Sequence, residues 1–300
     1  MNYDFSIIIP HYNDEQNLRR CLSSIPQRDD LQIIVVDDNS DPTKVDYDHF
    51  PGMEDPRVSV IFSKGKEGKG PGFARNKGME MAVGKWILFS DSDDYFTPKL
   101  NEALDLYKDD DSDIVFFKAN KQSEEGVVTP YAMVNDAIDE ARCLGFGDAI
   151  TYGVPCPWGK LIKKEFLLKN KIRYQQIIGG DDIFFSVKMA IALKKYILSD
   201  LTICCIVDRA GSLTRNNQWQ IFYSYVRACC DAYKLMKPLA KEKMASLWTS
   251  AWWGFLWAEN KWRALMATPR IFGAMGFISA LRCLKKGLKV GAWDWKNREK

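Results

Sequence analysis

Residues 85–96 read KWILFSDSDDYF, and this stretch decides the fold. Residues 86–89 are apolar, the run stops at Ser90, and by residue 94 three carboxylates have appeared: Asp91, Asp93 and Asp94. A short apolar run bounded by turn residues reads as a strand buried on both faces, the kind that builds parallel sheets. Ligands of open α/β sheets bind just beyond the carboxyl ends of such strands. Acids crowded there repel one another unless a cation sits between them. Mg²⁺ is a hard cation that takes one or two carboxylates together with substrate phosphates. The competing reading is a solvated Asp-rich turn, because Asp is a favoured turn residue.

Upstream, residues 5–9 (FSIII) form a β-branched run ended by Pro10. Residues 31–36 (LQIIVV) form a second, which also stops at acids, Asp37 and Asp38. Between them, the spacing of Leu18, Cys21, Leu22 and Ile25 predicts a helix capped by Asn13 or Asp14. Residues 58–62 are a third strand, and residues 73–83 read as a helix with Gly84 as its stop. Downstream come a helix opened by Pro98, a strand over 113–118 and a hairpin or excursion around Glu124-Glu125-Gly126. A Pro-punctuated turn, VPCPWGK, then runs into a short helix near 163–168. Asp181 and Asp182 head an apolar helix over 183–196, and 198–207 is the last strand. Strands and helices alternating through short links specify an α/β layer fold with a mostly parallel central sheet.

From Gln218 onward the composition turns helical and rich in tryptophan. We therefore divide the chain into a catalytic unit, 1–215, and a helical appendage, 216–300. Trp248, Trp252 and Phe255 share one helix face, a stripe that suits a core. The alternative is an amphipathic surface making peripheral membrane contact, helped by a basic tail that includes Lys285, Lys286 and Lys289.

Composition narrows the classes. The chain has 300 residues, 46% hydrophobic and 27% charged, enough for a sizeable core. A net charge of +3 is too small to argue for nucleic acid. The eight cysteines include no CxxC or Cys/His spacing of a zinc site, so reduced thiols and a cytoplasmic setting are expected. The N-terminus lacks the order of a secretory signal. The longest apolar stretches, 247–258 and 271–281, are shorter than the roughly 20 residues of a spanning helix.

The glycine-rich loop 65–72 is not a Walker loop, because Pro71 follows Gly70 where Lys and Ser/Thr are required. It also stands too late for the dinucleotide fingerprint after the first strand. Its glycines and lysines beside a helix start could embrace a diphosphate or form a plain surface loop. Asp181 and Asp182 favour a helix N-terminus electrostatically. Capping needs only one of them, and the second is left over.

SIIIPHYN, IIVVDDNSDP, GFARNKGMEMAVGKWILFSDSDDYF, PWGKLIKKEFL, GGDDIFFSVKMAI and RAGSLTR occur in this order over residues 5–215. Together they resemble a family 2 glycosyltransferase of the bacterial polysaccharide type. That resemblance implies the GT-A nucleotide-sugar-binding fold, Mn²⁺ or Mg²⁺, a UDP-sugar donor and inversion at the anomeric carbon. The acceptor it implies is a hydroxyl of a glycan or lipid-linked saccharide. Carried over residue by residue, Pro10, His11 and Tyr12 line the nucleobase pocket, and Asp38 accepts the uracil imide N–H. Asp91-Ser92-Asp93 is the DxD motif, with Asp93 the first choice for the metal and Asp91 beside it. Arg75 and Asn76 match the family's RN pair near the nucleotide. Asp181 stands where the family more often has Glu, and Asp182 is the expected base. Trp158 and Lys160 match a W-x-K-L stretch on the sugar or acceptor side. The C-terminal third lies outside the resemblance.

This chemistry needs two acid clusters, one at the leaving diphosphate and one at the attacking hydroxyl. A glycosidase would need two carboxylates but no diphosphate site. A sugar-nucleotide nucleotidyltransferase would carry a Gly-rich signature where Pro10-His11-Tyr12-Asn13 stands. A non-catalytic nucleotide-binding or assembly protein on the same fold is the remaining alternative.

Overall fold

The computed structural model describes residues 3–63, 70–144, 148–209, 219–240 and 242–298. Most of the glycine-rich loop and most of RAGSLTR lie outside these residues. Among the described residues nine strands form one sheet. Its first half is β3 (Val58–Phe62), β2 (Leu31–Asp37), β1 (Phe5–His11) and β4 (Trp86–Phe89), in that spatial order and all parallel. β1 and β2 are buried along their whole length, which is why they read as unbroken apolar runs. Their register sets His11 opposite Asp37, so both strands deliver their last residue at one level of the sheet edge.

Past β4 the sheet becomes mixed. β8 (Lys160–Lys163) runs antiparallel between β4 and β6 (Ile114–Gln122). β9 (Tyr196–Val207) pairs parallel with β6, and the two-residue β5 (Tyr95–Phe96) closes the edge antiparallel to β9. A hairpin joins β6 to β7 (Val128–Pro130) through a turn at Glu124–Gly126, the first of the two alternatives, hairpin or excursion, expected there.

Two expectations need correction. The segment read as a turn before a helix contains β8, whose Leu161 and Ile162 are fully buried. The helix expected over 183–196 is α7, Asp181–Ala192, and it ends earlier because Asp113 captures the backbone N–H groups of Lys194 and Lys195, both at 3.1 Å. The polar region after residue 130 holds a full helix, α4 (Ala132–Leu144), with Val134, Ala137, Ile138 and Ala141 turned inward at helical spacing.

On the sheet lie α1 (Glu15–Ser23), α2 (Pro71–Met81), α3 (Lys99–Tyr107) and α6 (Lys164–Lys169), and α5 (Asp148–Gly153) packs against α4 and α7. Asp14 caps α1, accepting from Asn17 N at 3.2 Å. Four helices follow: α8 (Trp219–Met236), α9 (Glu242–Glu259), α10 (Lys261–Met275) and α11 (Phe277–Arg298). They enclose a second hydrophobic core, to which α7 contributes Ile183 and Val187. Trp253 is buried there, and Trp248, Trp252 and Phe255 are packed against it, as a core stripe would be. All eight cysteines are free thiols, seven of them buried.

Candidate active site

The carboxyl end of the sheet gathers the residues singled out above. His11 Nδ1 meets Asp37 Oδ1 at 2.8 Å, and its Nε2 accepts from Asp14 N at 3.1 Å. A ring with its proton on Nδ1 satisfies both contacts. Asp37 also accepts from Ser40 and Tyr47. Burial pushes its carboxyl up, but the hydrogen bonds from His11 and Ser40 outweigh this and hold it below the usual range. His11 and Asp37 are thus committed to fixing the loop after each strand. Pro10 is buried in β1, whereas Tyr12 is 61% exposed at the rim.

Asp38 is different. Its Oδ2 accepts from Gly70 N at 2.6 Å, while its Oδ1 is buried with no partner. Burial raises this carboxyl despite the Gly70 hydrogen bond. A buried acceptor left open costs on the order of 1–3 kcal/mol unless a ligand satisfies it, and an imide N–H suits it.

Arg75 joins the two acid clusters. It projects from α2, and its fork reaches Asp181 Oδ2 at 2.6 Å through Nη1 and Asp91 through Nη2. The guanidinium lies over the Tyr174 ring, 5.2 Å from its centroid. Gly72 makes this approach of α2 to the 175–181 segment feasible: a Cβ there would stand 2.1 Å from the Gln175 carbonyl oxygen. Asn76, next on the helix, spends its amide on the backbone of Tyr174, donating at 2.9 Å and accepting at 3.0 Å. It anchors that segment, with one amide N–H and one carbonyl lone pair committed there.

Asp93 receives Arg209 at 2.7 Å, and the same guanidinium holds Asp14 at 2.5 Å. Arg20 donates to the Asp93 carbonyl. Burial raises Asp93, and the neighbouring charge of Asp91 adds to this, against Arg209. Asp94 is pushed further up, by burial and then by Asp91 and Asp93, and its Oδ1 accepts from Val207 N at 2.8 Å. No group of three or more His, Cys, Asp or Glu side chains at metal-holding geometry occurs among the described residues. Asp91 and Asp93 nevertheless offer hard oxygen donors, and Arg75 and Arg209 each engage one oxygen of them. Such a donor set fits Mg²⁺ or Mn²⁺ held by two carboxylates and a diphosphate.

At the head of α7, neither acid performs capping: Gly180 is the N-cap, at φ +78°, and makes no side-chain hydrogen bond. Asp181 is buried and raised by that burial, against Arg75. Asp182 retains some solvent contact, yet the protein around its carboxyl pushes it up to about 7, first by desolvation and then by the charge of Asp181. Above this pair, the Tyr225 ring covers Gly179 and Gly180 and stacks on Trp252 at 3.8 Å. Ser224 donates to Gly179 O at 2.9 Å. Trp158 is buried and stacks on Tyr131 at 5.6 Å, and Lys160 donates to Cys156 O at 2.5 Å.

Sequence reading missed Arg20, Arg209 as a partner of the acids, and Tyr225. Arg20 and Tyr225 sit on helices with no motif, and only the fold brings them here.

A family model described as "Glycosyl transferase family 2" matches residues 6–197. The chain belongs to this family. Among curated relatives, the chain is 31% identical over 213 residues to a poly(ribitol-phosphate) beta-glucosyltransferase of Bacillus spizizenii, a match covering 69% of this chain and 32% of the relative. It is 26% identical over 245 residues to the poly(ribitol-phosphate) beta-N-acetylglucosaminyltransferase TarS of Staphylococcus aureus, covering 79% of this chain and 40% of the relative. The matched part therefore spans well under half of either relative. In structure, the chain resembles S. aureus TarS in complex with UDP-GlcNAc, with a TM-score of 0.66, 19% identity and coverage of 97% of this chain and 89% of that one. It also resembles a Pyrobaculum calidifontis mannosyltransferase in complex with GDP-Man and Mn²⁺, with a TM-score of 0.56, 18% identity and coverage of 97% and 81%. The shared architecture is the GT-A fold with C-terminal helices. Among the described residues no helix is long and apolar enough to cross a membrane.

Proposed function

We propose that this chain is an inverting glycosyltransferase that moves a sugar from a UDP-sugar to a hydroxyl of a glycan or glycolipid, with Asp182 as the general base. One observation carries the reading: the Arg75 fork holds Asp91 and Asp181 at once, so both acid clusters share a single site.

The open Oδ1 of Asp38 would accept the uracil imide N–H, and the exposed Tyr12 ring is free to stack on the base. Asp93 and Asp91 would hold Mg²⁺ or Mn²⁺. When bound, that cation acts as a Lewis acid for the negative charge gathering on the departing diphosphate. Asp182 takes the acceptor's proton. A carboxyl at about 7 is a stronger base than an ordinary one and is still ionised in an appreciable fraction at neutral pH. Inversion requires it on the face of the sugar opposite the diphosphate. Asp181, held by Arg75, fixes the head of the helix from which Asp182 projects. The buried Trp158–Tyr131 stack is suited to backing the sugar or acceptor.

The relatives named for poly(ribitol-phosphate) support a polymer hydroxyl as acceptor, and the UDP-GlcNAc complex of TarS supports a UDP-linked hexosyl or N-acetylhexosaminyl donor. A panel of nucleotide-sugars assayed for UDP release with Mn²⁺ tests the donor. Asp182→Asn should lower transfer by about 10²-fold or more while leaving UDP affinity unchanged. Undiminished transfer by this variant would refute the assignment of the base.

A further inference from the structure

From Asn260 to Trp293 the sequence contains no Asp or Glu and seven Lys or Arg. In the fold this acid-free stretch is α10 and most of α11, and it carries large apolar side chains pointing into solvent. On α10 Trp262 is 79% exposed, with Leu265 and Met266 exposed on the same helix, and on α11 Phe277 is 68% and Ile278 66% exposed, with Leu281 exposed one turn on. Exposed single residues of this kind are ordinary, but a cluster on two adjacent helices is not. Phe272 and Phe277 touch across the turn between the helices, with centroids 5.6 Å apart, so apolar side chains of the two helices meet there.

The buried side of α11 is given by Ala280 and Cys283. Helical spacing puts Phe277, Leu281 and Leu288 on one strip flanking that side, and Ile278, Arg282, Lys285 and Lys289 on the face opposite it. Two of the seven cations are already occupied: Arg263 lies over the Trp219 ring at 4.0 Å, and Arg270 pairs with Asp231 at 3.0 Å. Among the described residues, no ion pair involves Arg282, Lys285, Lys286 or Lys289.

We infer that the face formed by α10 and the first half of α11 docks flat on a bilayer surface rich in anionic lipid. Apolar side chains enter the headgroup boundary, and the flanking cations meet lipid phosphates. Two other occupants fit less well. A second copy would bring one acid-free cationic face against another. A soluble polyanion would satisfy the cations and leave Trp262, Phe277 and Ile278 in water. The inference does not depend on the proposed reaction, since docking is measured without turnover.

The test is flotation of the full chain with vesicles of mixed phosphatidylglycerol and phosphatidylcholine, against phosphatidylcholine alone. The chain should float with the anionic vesicles and lose binding as salt rises. Phe277→Ser/Ile278→Ser and Lys285→Glu/Lys286→Glu should each reduce partitioning by about tenfold or more. All four side chains are exposed, so UDP affinity and melting temperature should hold. No flotation with anionic vesicles at low salt overturns the inference. So does a dimer in light scattering that the serine pair dissolves, which would make the face a self-interface. Binding that falls on charge reversal but ignores the serine pair would assign the face to a soluble polyanion instead.

Discussion

Asp182 shows how a single position can trade stability for chemistry. Its carboxyl holds a proton more tightly in the folded chain, at about 7, than at its ordinary 3.8. The folded state therefore binds more protons than the unfolded one between these values, and stability falls as pH rises through that window. Asp182→Asn escapes the penalty. It should melt higher than the parent at pH 8, by on the order of 1–3 kcal/mol, with little difference near pH 4, in paired thermal melts. The parent's kcat/KM should fall on the acid side of about pH 7. Arg75 carries the opposite weight. Arg75→Met leaves Asp91 and Asp181 without their buried partner and should cost about 3–5 kcal/mol in denaturant titration, less in acid. Adding Asp181→Asn should recover part of the loss. The acids were legible in the sequence because they stand where apolar strands end. The guanidinium linking them was legible only as part of an RN pair, since its partners lie 16 and 106 residues away.

At the level of elements, the parallel half of the sheet was readable because β1, β2 and β4 are buried on both faces. β8 was not readable. Its four residues include two lysines and follow Pro157-Trp158-Gly159, so the sequence carries turn signals where the fold inserts a strand between β4 and β6. Local pattern cannot reveal which neighbours a short strand will find. The start of α7 depends on a comparable long-range fit, the seating of α2 against the 175–181 segment. Gly72→Ala drives a methyl into the Gln175 carbonyl and should destabilise the fold by about 1–3 kcal/mol. Because the displaced segment leads into Asp181, transfer should drop more than UDP affinity in steady-state assays.

Over the whole chain, the hydrophobic interior is in two parts, and α7 faces both: Phe185 and Met189 belong to the first, Ile183 and Val187 to the second. The tryptophan-rich helices therefore back the helix that presents Asp181 and Asp182. A chain cut after residue 215 would bare Ile183 and Val187, at roughly 1.5–3 kcal/mol for each. It should melt lower than the full chain or collect in the insoluble fraction. Sequence division at 215 follows the change in composition, but nothing in composition shows that Tyr225 closes over Gly180. The double grip of Arg75 carries a further consequence, for the order in which substrates arrive. While Asp91 shares that arginine with Asp181, the seat of the acceptor is set by whatever occupies the phosphate side. The nucleotide-sugar should then enter first and the spent nucleotide leave last. Initial-rate analysis should find UDP competitive against the donor and noncompetitive against the acceptor, and random-order kinetics would show that the two ends of the site act independently.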